Sequence, residues 1–297
     1  MNRSSVKNME SLSPDKLDDV RDTLLHMNSL ESGAYHRDFA LQEPFVGLWR
    51  RQIIEWMYAI VNFCKLRHEA VAAASYYLDT CVSKGVIVFP GEYQLAAMTA
   101  LYLALKVYDS PTQRLIQLDS LIKLGNGEFD EAAVVKMEKK MLRALNWRLH
   151  PPTLDCFIQQ YMQLLPADTS SATRSRIEVA SLLVLEVAIS RERYLSTEPS
   201  VLGFTSILVA IERIEELEMS MTQLNAFLFN MSMVASLDSN CPGMFEVSRQ
   251  LDRSVKHSRR HESKDSSSTK CNRETSDQGS GKYRDTSTVS PNQVILQ

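Results

Sequence analysis

The amino-acid sequence predicts an all-α protein in which two consecutive five-helix bundles each surround a buried central helix. Apolar residues recur at spacings of three and four, and the 297 residues include only ten Gly and ten Pro. Residues 93–107, YQLAAMTALYLALKV, are apolar on almost every side, and a helix with this pattern has to be buried. Residues 201–211 repeat the pattern, so each half of the chain has its own candidate central helix.

The composition also limits the kinds of binding partner and the cellular compartment that we expect for this protein. A formal net charge of −3 and a pI near 6.1 give no basic surface for nucleic acid, so we expect no nucleic-acid partner. The five cysteines are an odd number without CxxC spacing, which favours a reducing compartment. The N-terminus has no apolar secretory core, and the longest apolar run, residues 201–211, is too short to span a bilayer. We therefore expect no membrane partner and a location in nucleus and cytoplasm.

The first half of the chain begins with a polar N-terminal segment, residues 1–44, that contains one amphipathic helix over residues 15–30. The apolar face predicted for this helix consists of Leu17, Val20, Leu24, Leu25 and Met27. The first bundle occupies residues 45–150. Its five helices are predicted over residues 48–64, 68–84 with Gly85 as the terminating residue, 93–107, 115–124, and 131–144 with Asp130 as the N-cap.

The run NWRLHPP, residues 146–152, interrupts the helical pattern because each proline restricts the residue before it. A second helical domain is predicted over residues 151–251, and Ser220 with Gln223 forms a capping box within it. From residue 252 the chain becomes rich in Ser, Thr and charged residues, which predicts a disordered tail over residues 252–297. The helices of the second domain are predicted over residues 153–164, 173–189, 199–215, 221–235 and 243–251.

The sequence contains none of the motifs that usually mark an active site. It has no Gly-rich phosphate loop, no HExxH and no GxSxG, and its six histidines are not spaced as metal ligands on one helix. Most acidic residues fall on polar faces or at helix starts, where carboxylates are ordinarily solvated. We therefore expect a non-catalytic protein that holds no metal and needs no cofactor.

Two charged residues interrupt apolar stripes. Lys106 continues the stripe of the central helix, and Glu138 lies four residues after Val134 and four before Leu142. One explanation is an internal ion pair that is satisfied within the bundle. The other is a partner surface, in which apolar neighbours supply contact area and the charges set orientation. Periodicity alone favours neither explanation.

Three segments together resemble the cyclin box. They are LWRRQIIEWM, then LALKVYD about fifty residues later, then MEKKMLRALNWRLHPPT. The segments WMYAIVNFC and ALNWRLHPPTLDCFIQQY are most similar to D-type cyclins, and the resemblance covers residues 17–165 well and residues 173–235 more weakly. It implies two cyclin-box bundles and a regulatory subunit that binds and activates a cyclin-dependent serine/threonine kinase in cell-cycle control.

The resemblance also implies which residues contact the kinase. Lys106 and Glu138 match the charged pair of the family, and Val107 and Leu142 lie beside them on the same helices. Where many cyclins have two acidic residues after the lysine, this chain has Val107, Tyr108 and Asp109, so the identity of the kinase stays open. The Leu-x-Cys-x-Glu motif of D-type cyclins is absent.

A second implied surface is the apolar patch by which cyclins capture substrate proteins. Here its positions hold Trp49, Gln52, Ile53 and Trp56, with Gln94 from the central helix. Gln52 replaces an apolar residue of the family pattern, and burying its amide without a partner would cost about 1 to 3 kcal/mol. We expect poor recruitment of Arg-x-Leu substrates through this degenerate patch. The alternative is that the two tryptophans simply belong to the core.

Two candidate phosphorylation sites lie near the ends of the chain. Ser13 begins a Ser-Pro-x-Lys sequence of the type that proline-directed kinases accept, and Ser290 precedes Pro291. Such short pairs also occur by chance.

The alternative function is a cyclin-fold transcription or scaffolding protein that activates no kinase. Such proteins need a basic face and often a zinc ribbon, and neither is visible in this sequence. An enzyme on a helical scaffold is a third alternative, disfavoured by the missing motifs.

Overall fold

The computed structural model describes residues 14–37, 39, 47–108, 118–124, 129–214, 219–239 and 241–271, and this part of the chain is helical without any strand. The prediction of an all-α fold is confirmed. The N-terminal helix is α1 (Pro14–Ser32). The first bundle consists of α2 (Gly47–Phe63), α3 (Glu69–Ser83), α4 (Pro90–Tyr108), α5 (Leu118–Leu124) and α6 (Glu131–Ala144).

The second half has the same number of helices. A single 3₁₀ turn follows α8 at Glu192–Tyr194, and a π-helical turn, Met231–Ala235, continues α10. Each predicted helix of this half has a counterpart in the structure, with ends that differ by a few residues except in the last. The helices are α7 (Leu154–Met162), α8 (Ser171–Ser190), α9 (Pro199–Arg213), α10 (Met221–Asn230) and α11 (Pro242–Cys271).

The two central helices are α4 and α9. Helix α4 is packed by α2, α3, α5 and α6, and helix α9 is packed by α7, α8 and α11. The side chains of Tyr93 and Leu101 in α4 and of Phe204 and Ile207 in α9 are completely buried. Helix α3 is also buried along nearly its whole length, which the sequence analysis did not predict. Its alanines at 70, 72, 73 and 74 let α4 on one side and α7 on the other approach closely.

Local chemistry sets the helix ends where the sequence predicts them. Gly85 has φ of +65° after α3, and the amide of Val86 donates to the carbonyl of Cys81 at 2.9 Å, which is a Schellman ending. The side chain of Asp130 accepts a hydrogen bond from the amide of Ala133 at the start of α6. The predicted capping box of Ser220 and Gln223 is present at the start of α10.

Helix α1 packs against the second half of the molecule, on α7 and on the π-helical turn. The carboxylate of Glu31 accepts hydrogen bonds from the amide of Ser200 at 2.8 Å and from its hydroxyl at 2.7 Å. Glu31 thereby caps the N-terminus of α9, where Glu198 makes no side-chain cap of its own. The predicted apolar face of α1 is wrong at Leu25, which is 59% exposed, because the buried stripe runs through Val20 and Leu24 to Glu31.

The predicted end of the last helix at residue 251 is wrong, and so is the predicted start of the tail at residue 252. Helix α11 continues without a break to Cys271. Leu251 and Val255, one turn apart, are 0% and 5% exposed and anchor the helix to its neighbours in the second bundle. Residues 272–297 lie outside the described residues, so the disordered tail stays a prediction for them.

The described helices were also compared with the requirements of a membrane span. Within the described ranges, no helix combines the length and the apolar character that a bilayer span requires.

Candidate protein-binding surface

The two charges that interrupt apolar stripes meet between α4 and α6. The ammonium group of Lys106 is paired directly with the carboxylate of Glu138, and it also lies 4.7 Å from the ring centroid of Tyr102. The ion-pair explanation is therefore correct as far as contact is concerned. The pair is not sealed off, however, because the side chains of Lys106 and Glu138 are 32% and 15% exposed. A partner could still reach both groups.

A second ion pair joins the same two helices. The ammonium of Lys140 lies 3.1 Å from the carboxylate of Glu92, at the start of α4. Glu92 and Lys106 are fourteen residues apart, or about 21 Å along the helix, whereas Glu138 and Lys140 are two residues apart and point to nearly opposite sides of α6. The two pairs therefore join α6 to two points of α4 that lie far apart along the helix.

The remaining predicted contact residues lie where the surface needs apolar area. Val107 in the last turn of α4 and Leu142 in α6 are both partly buried. Val134, on the same stripe of α6 as Glu138, is completely buried. The structure thus places Lys106 and Val107 in the last turn of α4, and Glu138 and Leu142 in the second half of α6.

An exposed aromatic residue next to this surface was missed by sequence reasoning. Helix α6 ends in a Schellman motif with Asn146 at φ +52°, and the amide of Trp147 donates to the carbonyl of Leu142 at 3.0 Å. Trp147 itself has φ of +60°, which is unusual for a bulky residue, and its side chain is 70% exposed. A strained backbone that presents an indole to solvent points to a functional role.

A buried ion pair that joins the first bundle to the second was also missed by sequence reasoning. Arg50 of α2 binds Asp79 of α3 with two hydrogen bonds, of 3.0 and 2.8 Å, and donates a third to the carbonyl of Ile189 at 2.6 Å. Both side chains are 4% exposed. Although burial opposes the charge, the carboxylate of Asp79 raises the pKa of Arg50. The pair ties α2 and α3 of the first bundle to the end of α8.

The positions of the implied substrate-docking patch are divided between core and surface. Ile53 and Trp56 are 3% and 7% exposed and belong to the core, so of the two tryptophans the core alternative holds for Trp56 and not for Trp49. Trp49, Gln52 and Gln94 are partly exposed. Poor recruitment of Arg-x-Leu substrates stays a prediction, and the surface available for it is smaller than the sequence suggests.

A cluster of titratable groups fills the junction between the two bundles. Asp155, at the start of α7, is 4% exposed, and its Oδ2 has no hydrogen-bond partner in the described part of the chain. Burial, together with the nearby carboxylate of Glu69, raises the pKa of Asp155 to about 7. His68 pairs with Glu186 at 3.0 Å, and this hydrogen bond raises the pKa of His68. The junction therefore carries a buried carboxyl group, that of Asp155, that titrates near neutral pH.

In the described ranges, no group of three or more His, Cys, Asp or Glu side chains is arranged to hold a metal ion. The four cysteines described there are free thiols. Burial raises the pKa of Cys81 to about 12, which makes this thiol a poor nucleophile.

Three positions from the sequence analysis cannot be placed. The candidate phosphorylation sites Ser13 and Ser290, and Asp109 after the end of α4, lie outside the described residues.

The helices α4 and α6 that form this surface lie in a part of the chain that matches a known protein family. Residues 22–150 match the model of the cyclin N-terminal domain, and this range contains α2 to α6 with both ion pairs and Trp147. This part of the chain belongs to the cyclin family. Among curated proteins, the chain is 25% identical over 222 residues to the putative cyclin-B3-1 of Arabidopsis thaliana, covering 69% of this chain and 53% of the relative.

Other cyclin classes match as well. The chain is 27% identical over 178 residues to cyclin-D3-3 of Arabidopsis thaliana, covering 59% of this chain and 48% of the relative. It is 24% identical over 170 residues to cyclin-A2 of Xenopus laevis, covering 57% of this chain and 39% of the relative. The aligned part thus spans about half or less of these relatives.

The fold extends beyond the matched N-terminal domain. The crystal structure of a viral cyclin from herpesvirus saimiri aligns with a TM-score of 0.57 at 15% identity, covering 81% of this chain and 95% of the viral one. At this identity the likeness concerns the fold alone. It supports the two-bundle architecture over most of the described residues.

Proposed function

We propose that this cyclin is a regulatory subunit that binds and activates a cyclin-dependent serine/threonine kinase in cell-cycle control, with no catalytic residue of its own. The observation that carries the proposal is the surface made by Trp147 and the Lys106–Glu138 pair. An exposed indole, a partly exposed ion pair and the apolar side chains of Val107 and Leu142 have the composition of an interface centre.

The chemistry of each group suits a separate part of the contact. Trp147 supplies a large rigid apolar area, which is the usual source of binding free energy at a hot spot. Lys106 offers donors and Glu138 offers acceptors to the backbone or side chains of a partner helix end. Because the two charges neutralise each other in the free chain, neither is left uncompensated before the kinase arrives.

Activation then follows from differential binding. A protein kinase needs the ion pair between its ATP-binding lysine and the glutamate of its regulatory helix. A cyclin that binds better to the conformation with this helix held inward shifts the kinase population toward it. The pairs Lys106–Glu138 and Lys140–Glu92 join α4 to α6, so the side chains that would meet the partner helix are already oriented in the free chain.

The test is an affinity measurement with purified full-length chain and an unphosphorylated monomeric cyclin-dependent kinase. We expect Trp147→Ala to raise the Kd about thirtyfold, corresponding to about 2 kcal/mol at a hot spot. Lys106→Ala and Glu138→Ala should each raise it about tenfold. Their effect on the free energy of unfolding should stay near 1 kcal/mol, because the pair is partly exposed.

The matched control is Phe229→Ala in α10, since Phe229 is 66% exposed but belongs to the second bundle. Its Kd should equal that of the wild type. If the variants at 106, 138 and 147 bind as well as the control, the surface is misassigned. If the wild type binds no cyclin-dependent kinase at all, the alternative of a transcription or scaffolding protein takes precedence.

We further propose that the chain acts in nucleus and cytoplasm, the compartments in which free thiols persist. Fluorescent tagging of the full chain checks this, and accumulation in a secretory compartment would contradict it.

A further inference from the structure

Helix α11 is held against the end of α8 by a seam of polar contacts. The guanidinium of Arg191 donates a hydrogen bond from Nη2 to the hydroxyl oxygen of Ser258 at 3.0 Å. One turn earlier in α11, Ser254 shares a hydrogen bond of 3.1 Å with the hydroxyl of Tyr194. Ser258 therefore joins α11 to the residue that ends α8.

The surroundings of Arg191 carry an excess of positive charge. Arg51 from α2 and Arg193 from the 3₁₀ turn lie near it, and the carboxylates nearby are those of Glu55 and Glu192. Three positive charges are therefore balanced by two negative ones. Burial and the like charge of Arg51 lower the pKa of Arg191, with Glu55 acting in the opposite direction. The Nε of Arg191 is buried and has no hydrogen-bond partner among the residues that the structure describes. One more negatively charged hydrogen-bond acceptor would satisfy the Nε of Arg191 and balance the excess positive charge.

There is room for such an acceptor on Ser258. The residue is partly exposed and lines a cleft of about 470 Å³ between the two bundles. An adjoining cleft of about 250 Å³ is lined by Arg51, Arg191 and Arg193, and Ser190 borders both. A phosphoryl group on Ser258 could therefore extend toward the arginines without displacing a core side chain.

From this geometry we propose that Ser258 is a phosphorylation site and that Arg191 and Arg51 receive its phosphate. The phosphate would add a charge of about −1.5 to −2 and three acceptor oxygens to a cluster with one cation in excess. Because Arg51 belongs to α2 and Ser258 to α11, the modification fastens the second bundle to the first across the cleft. Arg51 would exchange its present partner Glu55, at 2.8 Å, for the phosphate.

The group-transfer step uses ATP and a protein kinase that prefers basic substrates. The sequence KHSRRHES, residues 256–263, provides basic residues on both sides of Ser258 for an acidic substrate groove. The Oγ–P bond forms as the bond from the γ-phosphorus to the bridging oxygen of ATP breaks. ADP leaves, and the hydroxyl proton passes to the catalytic base of that kinase.

The first test uses the full-length chain with phosphoserine incorporated genetically at position 258. We expect its melting temperature to exceed that of the unmodified chain by about 2–4 °C, through new charge-assisted hydrogen bonds. The gain should shrink at high salt. In an Arg191→Gln background the same phosphoserine should give less than half of the gain.

Phosphoserine at Ser248 is the matched control, since it lies ten residues, or about 15 Å, earlier on α11. Its effect on the melting temperature should be the same with and without Arg191. An equal gain from phosphoserine 258 in both backgrounds, or a loss of stability in the wild-type background, would overturn the proposal. Should Arg191→Gln not fold, Arg51→Gln, at an exposed pair, serves as the second background with the same expectation.

The second test asks whether a kinase can reach the residue. The full-length chain is incubated with Mg-ATP and a basic-directed protein kinase, and the phosphate is located by mass spectrometry, with Ser258→Ala as the control. Incorporation at Ser258 supports the proposal. Incorporation at other serines with none at Ser258 contradicts it. The outcome does not depend on whether the chain binds a cyclin-dependent kinase.

Discussion

At the scale of single residues, the charges of this chain fall into two groups with different energetics. Arg50 and Asp79 are buried together and satisfied by three hydrogen bonds, whereas Lys106 and Glu138 are paired at the surface. Removing one member of the buried pair leaves an uncompensated charge in the core. Removing one member of the surface pair leaves a charge that water can solvate. The first pair therefore stabilises the scaffold, and the second is available for binding.

We predict that Asp79→Asn lowers the free energy of unfolding by about 3–5 kcal/mol, because the guanidinium of Arg50 stays buried without its carboxylate. The measurement is chemical denaturation of the full chain. Glu55→Gln, which removes the exposed partner of Arg51, is the control and should cost less than about 1 kcal/mol. Similar losses in the two variants would mean that the buried pair contributes no more than a surface one.

The buried carboxyl of Asp155 predicts a pH dependence. Its pKa is about 7 in the folded chain and about 3.9 in an unfolded one, so the folded state binds more protons between these values. Stability due to the neutral carboxyl is therefore lost as the pH rises from about 4 to 7. The raised pKa of His68 acts in the same direction, and the carboxylates of Glu69 and Glu186 and the neutral hydroxyl of Tyr58 complete the surroundings.

We expect the melting temperature of the wild type to fall between pH 5.5 and 7.5, and Asp155→Asn to reduce this fall and to be the more stable protein at pH 7.5. Thermal unfolding at a series of pH values checks both statements. Asp130→Asn, which keeps an N-cap at an exposed position, should retain the full slope. A slope unchanged by Asp155→Asn would exclude this carboxyl as the cause.

At the scale of helices, α9 approaches α7 closely at Gly203. A Cβ at Gly203 of α9 would stand 3.1 Å from the Cβ of Phe157, whereas a Cβ at Gly91 of α4 would meet nothing within 4 Å. Both glycines are in helices, where alanine is intrinsically favoured. Alanine at position 91 therefore tests the effect of helix propensity on stability, and alanine at position 203 tests that effect together with the cost of packing against α7.

We predict that Gly203→Ala destabilises the chain by about 1–3 kcal/mol through overpacking against α7, although alanine favours the helix. Gly91→Ala should stabilise it by about 0.4–1 kcal/mol. Denaturation curves of the two variants measured side by side decide the matter. Equal, stabilising effects would show that α7 and α9 can separate without cost.

Helix α11 shows where sequence patterns were insufficient. The polar composition after residue 251 predicts a tail, yet Val255, one turn after Leu251, extends the apolar anchor, and Asp252 pairs with Arg213 of α9 at 2.7 Å. Two residues at helical spacing decide this boundary, and composition averaged over a window does not detect them. In contrast, Glu31 lies on the stripe of Val20 and Leu24, so its burial could have been predicted from periodicity.

Truncation tests this anchor. Deleting residues 252–297 should lower the melting temperature, because it removes Val255 and leaves Arg213 without Asp252. Deleting residues 272–297 should leave the melting temperature unchanged. Kinase affinity should stay intact in the shorter deletion. If both truncated chains melt together with the full chain, α11 contributes nothing beyond residue 251.

At the scale of the whole molecule, the chain is built from two similar bundles. Sequence order and periodicity predicted both bundles, the central helices and the positions of Lys106 and Glu138. They left the pairing of these two side chains as one of two explanations, because the partners lie 32 residues apart on helices whose arrangement depends on packing. The exposure of Trp147 follows from a backbone conformation after α6 that no spacing rule encodes.

The central claim is that the surface of α4 and α6 switches a kinase on, and the most direct measurement is the rate at which a cyclin-dependent kinase phosphorylates a peptide substrate as full-length chain is added. We predict a saturable increase in rate. Glu138→Ala and Trp147→Ala should shift half-saturation to higher concentrations, about tenfold and thirtyfold, and Phe229→Ala should leave it unchanged. A rate that does not rise with added chain, or a rise that all three variants reproduce at wild-type concentrations, would contradict the account.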